Sequence, residues 1–242
     1  MTARWLEEAV EACGSTAPPQ FPRNLATEIP RRLPVTVVPL PQLTADAVHV
    51  WLRRRGLNHQ VAEGSRAFHG CMVARAGVGI LFHDSREGVA EQRFTVAHEV
   101  AHFVLDHWLP RQRALRVFGE DIRPVLDSLR APTPEEALTA LFERVPLGVQ
   151  VKLMDRGPSG LFSNGKVAES ERRADLLAQE LLAPSALVMP LVREVSEDEG
   201  VSRVMFRFGL PGEVARTYVQ MLRRRLRIPR FSIQQFLGVD GD

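Results

Sequence analysis

The chain has 242 residues, of which 45% are hydrophobic and 25% are charged, and its formal net charge is +2. This is the composition of an ordinary globular protein, and so small a charge does not by itself indicate a nucleic-acid partner. No stretch approaches the roughly 20 apolar residues of a membrane span, and the acidic start lacks the apolar run of a secretory signal. With only Cys13 and Cys71 present, we expect no disulfide framework and a reducing, cytoplasmic location.

The first part of the chain predicts a small twisted sheet. The predicted elements are a loose, proline-rich lead-in over residues 16–34, a strand over 35–40, a short helix over 46–56 and a β-hairpin over 70–84. Gly56 is suited to closing the helix, and the two apolar runs of the hairpin meet at Ala76 and Gly77.

The rest of the chain predicts mostly helices. These cover residues 91–108, 134–145 and 169–183, with a strand over 149–154 and two further helices from residue 198 onward. Pro110 is expected to stop the first helix and Pro184 the third. The two tail helices are expected to break near Gly209 and Pro211, which suit a helix end and a helix start. We therefore expect an α+β fold with a helical C-terminal region.

His98, Glu99 and His102 form the pattern H-E-x-x-H. Residues four apart lie on one face of a helix, so both histidines can direct a ring nitrogen at one metal ion. Glu99 lies about 100° round the helix, where it can reach a water molecule on that ion. Zinc lowers the pKa of such a water toward 7, and the carboxylate can accept its proton. The alternative is a buried helix that holds two core histidines, but unpaired buried imidazoles are costly.

A catalytic zinc needs a third protein ligand. The positions where metzincins carry a glycine and the third ligand hold Leu105 and Trp108 here, which excludes that type of site. Asp106 and His107 are close in sequence, but His107 lies about 140° away from the ligand face.

A glutamate on the helix over residues 169–183 is the other source of a ligand. Glu171 lies one turn before the apolar face of this helix, and Asp175 shares its edge. In this interpretation Glu171 binds zinc, and Asp175 accepts the second ring N–H of a ligand histidine. Glu169 and Glu180 are rival ligands, and Glu171 could instead be an exposed acid in the first helical turn.

Two stretches together, RFTVAHEVAHFVLDH and ERRADLLAQELLAP, resemble the ImmA/IrrE metallopeptidases. The resemblance covers about residues 35–109 and 166–225 and places Glu171 in the family pattern, ahead of its rivals. The spacing of Glu171 and Asp175 is also similar to that of gluzincins, where the glutamate is a ligand. The resemblance implies a cytoplasmic zinc protease whose protein substrate is a helix-turn-helix transcriptional repressor.

The chain departs from the family in the distance between its motifs. His102 and Glu171 are 171 − 102 = 69 positions apart, more than is usual in the family. We therefore divide the chain into a lead-in over 1–34, a metallopeptidase domain over 35–192 with an insertion at about 110–165, and a helix-turn-helix-like region over 193–242. The insertion is expected to border the cleft and control substrate access. The alternative is that residues 149–154 add a strand to the main sheet.

The tail and the motif leave rival functions open. The tail carries four clustered arginines, Arg223, Arg224, Arg225 and Arg227. Four arginines make a weak electrostatic footprint, so we favour repressor docking, or a helical pair that closes the core, over direct nucleic-acid binding. The leading hypothesis is a zinc endopeptidase. Its rivals are a regulatory binding module with structural or no zinc, and another zinc hydrolase such as an aminopeptidase. Glu99 favours an enzyme, because a structural zinc site has no use for a carboxylate beside a water molecule.

Overall fold

The computed structural model describes residues 4–14, 20–57, 67–142, 150–155 and 165–227. The chain is α+β and divides into two compact units, Met1–Leu182 and Ala183–Asp242. The predicted domain boundary after residue 192 lies further along the chain than this division. No single helix among the described residues is long and apolar enough to span a membrane.

The first unit contains a four-stranded sheet with the order β1-β3-β2-β4. The strands are β1 Val35–Leu40, β2 Phe68–Arg75, β3 Val78–Asp84 and β4 Gln150–Asp155. β1 is parallel to β3, whereas β2 is antiparallel to both β3 and β4. The predicted hairpin is confirmed, and its two-residue turn has φ of 52° at Ala76 and 83° at Gly77. Positive φ at both positions is the signature of the turn that matches the twist of paired strands.

The two faces of the sheet have different partners. One face packs on α3, Ala45–Arg53, in a cluster that includes Val38, Val48, Leu52, Phe68, Cys71, Val73 and Phe82. The other face packs on α4, Val89–His102. Because successive side chains of a strand alternate between faces, Gly70 and Gly79 lie on the α4 side. A Cβ atom on Gly79 would lie 2.6 Å from the Phe103 ring, so the absence of a side chain there allows the helix to approach closely.

The helix that carries the H-E-x-x-H pattern does not stop at Pro110, contrary to the prediction. After α4 the chain continues through a π-helical turn, Phe103–Trp108, into α5, Leu109–Phe118. The N–H of Leu109 donates to the carbonyl of Val104, five residues earlier. Proline is tolerated in the first turn of a helix, and the wider π turn accommodates its missing N–H.

The lead-in is more ordered than the sequence indicated. Helix α1, Arg4–Ala12, packs on α8, Gly165–Leu182, and α2, Leu25–Glu28, packs on α4. Arg23 is 5% exposed; it donates to the Leu181 carbonyl at 2.8 Å and pairs with Glu28. A buried, paired arginine fixes the chain at the start of α2, so the prediction of a loose segment over 16–34 is wrong for the part from residue 20 onward that the structure describes.

The proposed insertion contributes to the sheet. It contains α5, the short helix α6 Arg123–Leu126, α7 Pro134–Phe142 and β4. β4 pairs with β2 over the segment predicted as a strand, which corresponds to the alternative left open by the sequence. A role in substrate access alone would therefore not account for this segment, because it also supplies an edge strand of the sheet. Residues 143–149 and 156–164 lie outside the described part of the chain.

Helix α8, Gly165–Leu182, completes the first unit, and the second unit is helical where it is described. The second unit contains α9 Ser185–Val192, α10 Glu197–Phe208 and α11 Gly212–Arg227. Gly209 ends α10 with a left-handed φ of 66°, as predicted, and Ser196 caps the start of the same helix. The core of this unit includes Val188, Val192, Val204, Phe208, Tyr218, Val219 and Leu222.

Candidate metal centre

Helix α4 places His98 and His102 one turn apart in a buried environment. Every residue from Phe94 to His102 is buried, because this stretch lies between the sheet and α8. The Nε2 atoms of the two rings lie 3.0 Å apart. Two ring nitrogens this close, without access to bulk water, need a shared proton or a cation between them.

Helix α8 brings Glu171 to the same point. Its Oε2 lies 3.2 Å from Nε2 of His98 and 3.4 Å from Nε2 of His102. Two atoms bound tetrahedrally to a zinc ion at about 2.0–2.1 Å lie about 3.3–3.4 Å from each other. The three distances within this triangle, 3.0, 3.2 and 3.4 Å, are close to that value, so the triangle is near the size required around one ion. His98, His102 and Glu171 are the group among the described residues that could hold a metal ion.

Each histidine uses its other ring nitrogen to contact a carboxylate. Nδ1 of His98 lies 2.9 Å from Oδ1 of Asp175, which is the partner predicted from the helix pattern. Nδ1 of His102 lies 2.8 Å from Oδ2 of Asp106. In the sequence Asp106 stands out only as a residue near the motif, although its position four residues after His102 is a usable signal. Both contacts leave Nε2 directed toward Glu171.

Glu99 lies beside this triangle with both carboxylate oxygens buried. It is 1% exposed, and neither oxygen has a hydrogen-bond partner among the described residues. Gly70 of β2 makes room for it: a Cβ atom there would clash with Oε1 of Glu99 and lie 2.7 Å from Thr95. A buried carboxylate without partners is rare in proteins, and it indicates that its partner is a bound group that is not part of the polypeptide.

The charges at this site influence one another strongly. Burial raises the pKa of Glu99 to about 7, although His98 and His102 oppose the change. Burial alone would lower the pKa of His98, but hydrogen bonds to Asp175 and Glu171 raise it to about 10. Burial would raise the pKa of Glu171, but hydrogen bonds from the two histidines lower it. The site is thus built to hold positive charge between carboxylates.

The rival residues lie in different environments. Glu169 is exposed and pairs with Arg172 at 2.8 Å, and Glu180 borders a cavity with residues of α1. His107 accepts a hydrogen bond at Nε2 from the Gly77 N–H, 3.1 Å away, at the hairpin turn. None of the three belongs to the His98, His102 and Glu171 group.

No protein-family model matches the chain, and no curated protein matches its sequence. The resemblance to the ImmA/IrrE metallopeptidases therefore depends on the two motifs. The geometry of the site shows independently that their histidines and acids converge.

Proposed function

We propose that the chain is a zinc-dependent endopeptidase in which His98, His102 and Glu171 hold the zinc and Glu99 is the general base. The observation that carries this proposal is the triangle of three ligand atoms beside a buried carboxylate with no partner among the described residues. Two histidines and a glutamate are the ligand set of thermolysin-type catalytic zinc, which leaves one position for water or substrate. A structural site would require a fourth protein ligand, and the described residues add none to this group.

Each side chain has a separate task in this mechanism. Zinc, when bound, polarises a carbonyl oxygen and makes water more acidic. Asp175 accepts the Nδ1 proton of His98, so that Nε2 presents its lone pair to the metal position. A carboxylate oxygen of Glu99 accepts the proton of the attacking water and returns it to the leaving amine nitrogen. Glu99 has no hydrogen-bond partner among the described residues, so neither of its oxygens has to break a contact with those residues before it accepts the proton.

The proposed substrate is a helix-turn-helix repressor, supported by the motif resemblance. One ion pair in the second unit bears on the alternative, a nucleic-acid partner. Arg216 on α11 is paired with Asp198 at 3.0 Å and lies 3.9 Å from Glu197. These acids neutralise one cation of α11 and so reduce the positive charge available for contact with phosphate. Together with the weak arginine footprint of the tail, this supports the proposal that the chain does not bind DNA directly.

Zinc analysis and one conservative substitution test the proposal. Purified protein should contain close to one zinc per chain. Glu99→Gln keeps the size of the side chain but cannot accept a proton, so zinc should remain while cleavage falls by about 10² or more. Glu169→Gln, an exposed acid outside the site, is the matched control and should cut normally. Wild-type turnover in Glu99→Gln would remove Glu99 from the mechanism, and loss of zinc would instead make it structural.

The cleavage products distinguish the rival hydrolases. Purified helix-turn-helix repressors and labelled casein should be incubated with the zinc-loaded protein and analysed by mass spectrometry. Fragments from interior bonds of a repressor are expected. Stepwise loss of N-terminal residues would identify an aminopeptidase, and no cleavage by a zinc-loaded protein would contradict peptidase activity.

A further inference from the structure

His102 has a carboxylate partner that both ligand-bearing segments hold in place. Asp106 Oδ2 lies 2.8 Å from Nδ1 of His102, and the Ser170 hydroxyl donates to the same oxygen at 3.2 Å. The hydroxyl also lies 3.5 Å from the other carboxylate oxygen. Ser170 directly precedes Glu171 in α8. One carboxylate thus connects the segment that carries His102 to the residue next to the third ligand.

The backbone at Asp106 departs from a regular α-helix. It lies in the π-helical turn Phe103–Trp108 that follows α4. Such turns are rare and occur mostly as single turns inserted into α-helices. Here the turn leaves Asp106 beside His102, while His107 contacts the hairpin turn at Gly77. Two neighbouring residues therefore anchor the helix on opposite partners.

The two carboxylates that contact the ligand histidines differ in exposure. The side chain of Asp175 is 48% exposed, whereas that of Asp106 is 25% exposed. Water weakens an electrostatic contact more strongly when the partner is exposed. The contact distances are nearly equal, at 2.9 and 2.8 Å. The Asp106 contact is therefore expected to orient its histidine more firmly.

We propose that Asp106, held by the Ser170 hydroxyl, is a positioning residue. It fixes the orientation of the His102 ring and couples that orientation to the position of α8. This inference rests on the proposed zinc site. Asp106 accepts the Nδ1 proton, which leaves the Nε2 lone pair directed at the metal position. Without Asp106 the ring can rotate or exchange tautomers, and each change removes a ligand. Ser170 limits the rotation of the carboxylate, so a shift of α8 moves Glu171 and Asp106 together.

The Ser170 contribution is expected to be the smaller one. A cavity of about 300 Å³ borders Asp106 and Ser170, together with Leu105 and Arg173. Water from this cavity can replace a missing hydroxyl as a donor to Asp106. The Asp106 carboxylate, by contrast, makes the direct contact with Nδ1 of a histidine side chain that is 3% exposed.

Zinc affinity, measured by competition with a chelator, tests this order. Asp106→Ala should weaken zinc binding by about 10–100-fold. Asp106→Asn should recover part of that loss, because its amide oxygen still accepts from Nδ1. Ser170→Ala should weaken binding by about two- to tenfold, and Asp175→Ala by less than Asp106→Ala. Glu169→Ala, next to Ser170 but exposed and paired with Arg172, is the matched control and should bind zinc normally.

A spectroscopic measurement separates positioning from general stability. With cobalt in place of zinc, Asp106→Ala and Ser170→Ala should alter the visible absorption of the metal, whereas Glu169→Ala should not. Wild-type affinity and spectra in both Asp106→Ala and Ser170→Ala would overturn the inference and leave the zinc site intact. If Asp106→Ala does not fold, the two single variants Asp106→Asn and Ser170→Ala replace it in the test. Wild-type affinity and spectra in both of them would then overturn the inference. A wild-type protein that binds neither metal would overturn the proposed function itself.

Discussion

Two buried histidine environments lie on one continuous helical run, and they differ in charge and not in burial. At the candidate metal centre, His98 is 2% exposed, and hydrogen bonds to carboxylates raise its pKa to about 10 in spite of burial. At the hairpin turn, His107 is 6% exposed, and its pKa falls to about 4 because of burial and the charge of Arg111. The first environment attracts a cation, and the second excludes one.

The difference shows that a buried histidine becomes a candidate ligand through its neighbours. Nε2 of His107 is already occupied by the Gly77 N–H, and Arg111 beside it pairs with Asp127 at 2.6 Å. Nε2 of His98 faces Glu171 and another imidazole. Glycines serve both places, but Gly70 makes room for a carboxylate and Gly77 makes a turn.

The largest expected effect is the loss of metal from one environment only. His98→Ala or His102→Ala removes a zinc ligand, so zinc content should fall close to zero after dialysis. His107→Ala removes a ring of similar burial and should retain close to one zinc per chain. Elemental analysis of the three variants checks this. Equal loss of zinc in His107→Ala would break the comparison.

The two glycines offer a second test with a smaller effect. In Gly70→Ala the new Cβ displaces the Glu99 carboxylate, so cleavage should fall by about 10² while zinc stays bound. In Gly77→Ala the residue keeps a φ of 83°, and its Cβ lies 2.9 Å from Nε of Arg111. That strain should reduce the free energy of unfolding by about 1–3 kcal/mol and leave zinc-dependent turnover intact. Urea unfolding and turnover should be measured on both variants. A loss of turnover in Gly77→Ala together with a loss of stability alone in Gly70→Ala would contradict the comparison.

The third expected effect is a gradual one, a dependence of stability on pH. The folded state lowers the pKa of His107 from 6.5 to about 4, so the unfolded chain binds a proton more readily there. The contribution of the neutral, buried His107 ring to the free energy of unfolding is therefore complete above pH 6.5. It falls by about 1.4 kcal/mol per pH unit as the pH falls toward 4. His107→Gln can still accept from Gly77 but does not titrate. The difference between the unfolding free energies of the two metal-free proteins isolates this slope, and a flat difference from pH 6.5 to 4 would contradict it.

The sequence determined the parts of the molecule that depend on local periodicity. The four-residue spacing of His98 and His102 gave their common face, and the helix pattern placed Glu171 and Asp175 on one edge. Apolar runs and turn residues predicted the strand at 35–40, the hairpin around Gly77 and a strand at 149–154, which the structure has at Gln150–Asp155. These features are encoded by neighbours along the chain, so they can be recognised without knowledge of the fold.

Only the tertiary structure decided the features that join distant segments. A proline in a helical pattern normally ends the helix, but here a π turn and packing allow the helix to continue past Pro110. The contact of Ser170 with Asp106 and the fit of Gly70 against Glu99 join residues far apart in sequence. Pairing of β4 with β2 placed the long segment between the motifs in the sheet. Such contacts form only when packing brings distant residues together, and no periodicity along the chain encodes which of them will meet.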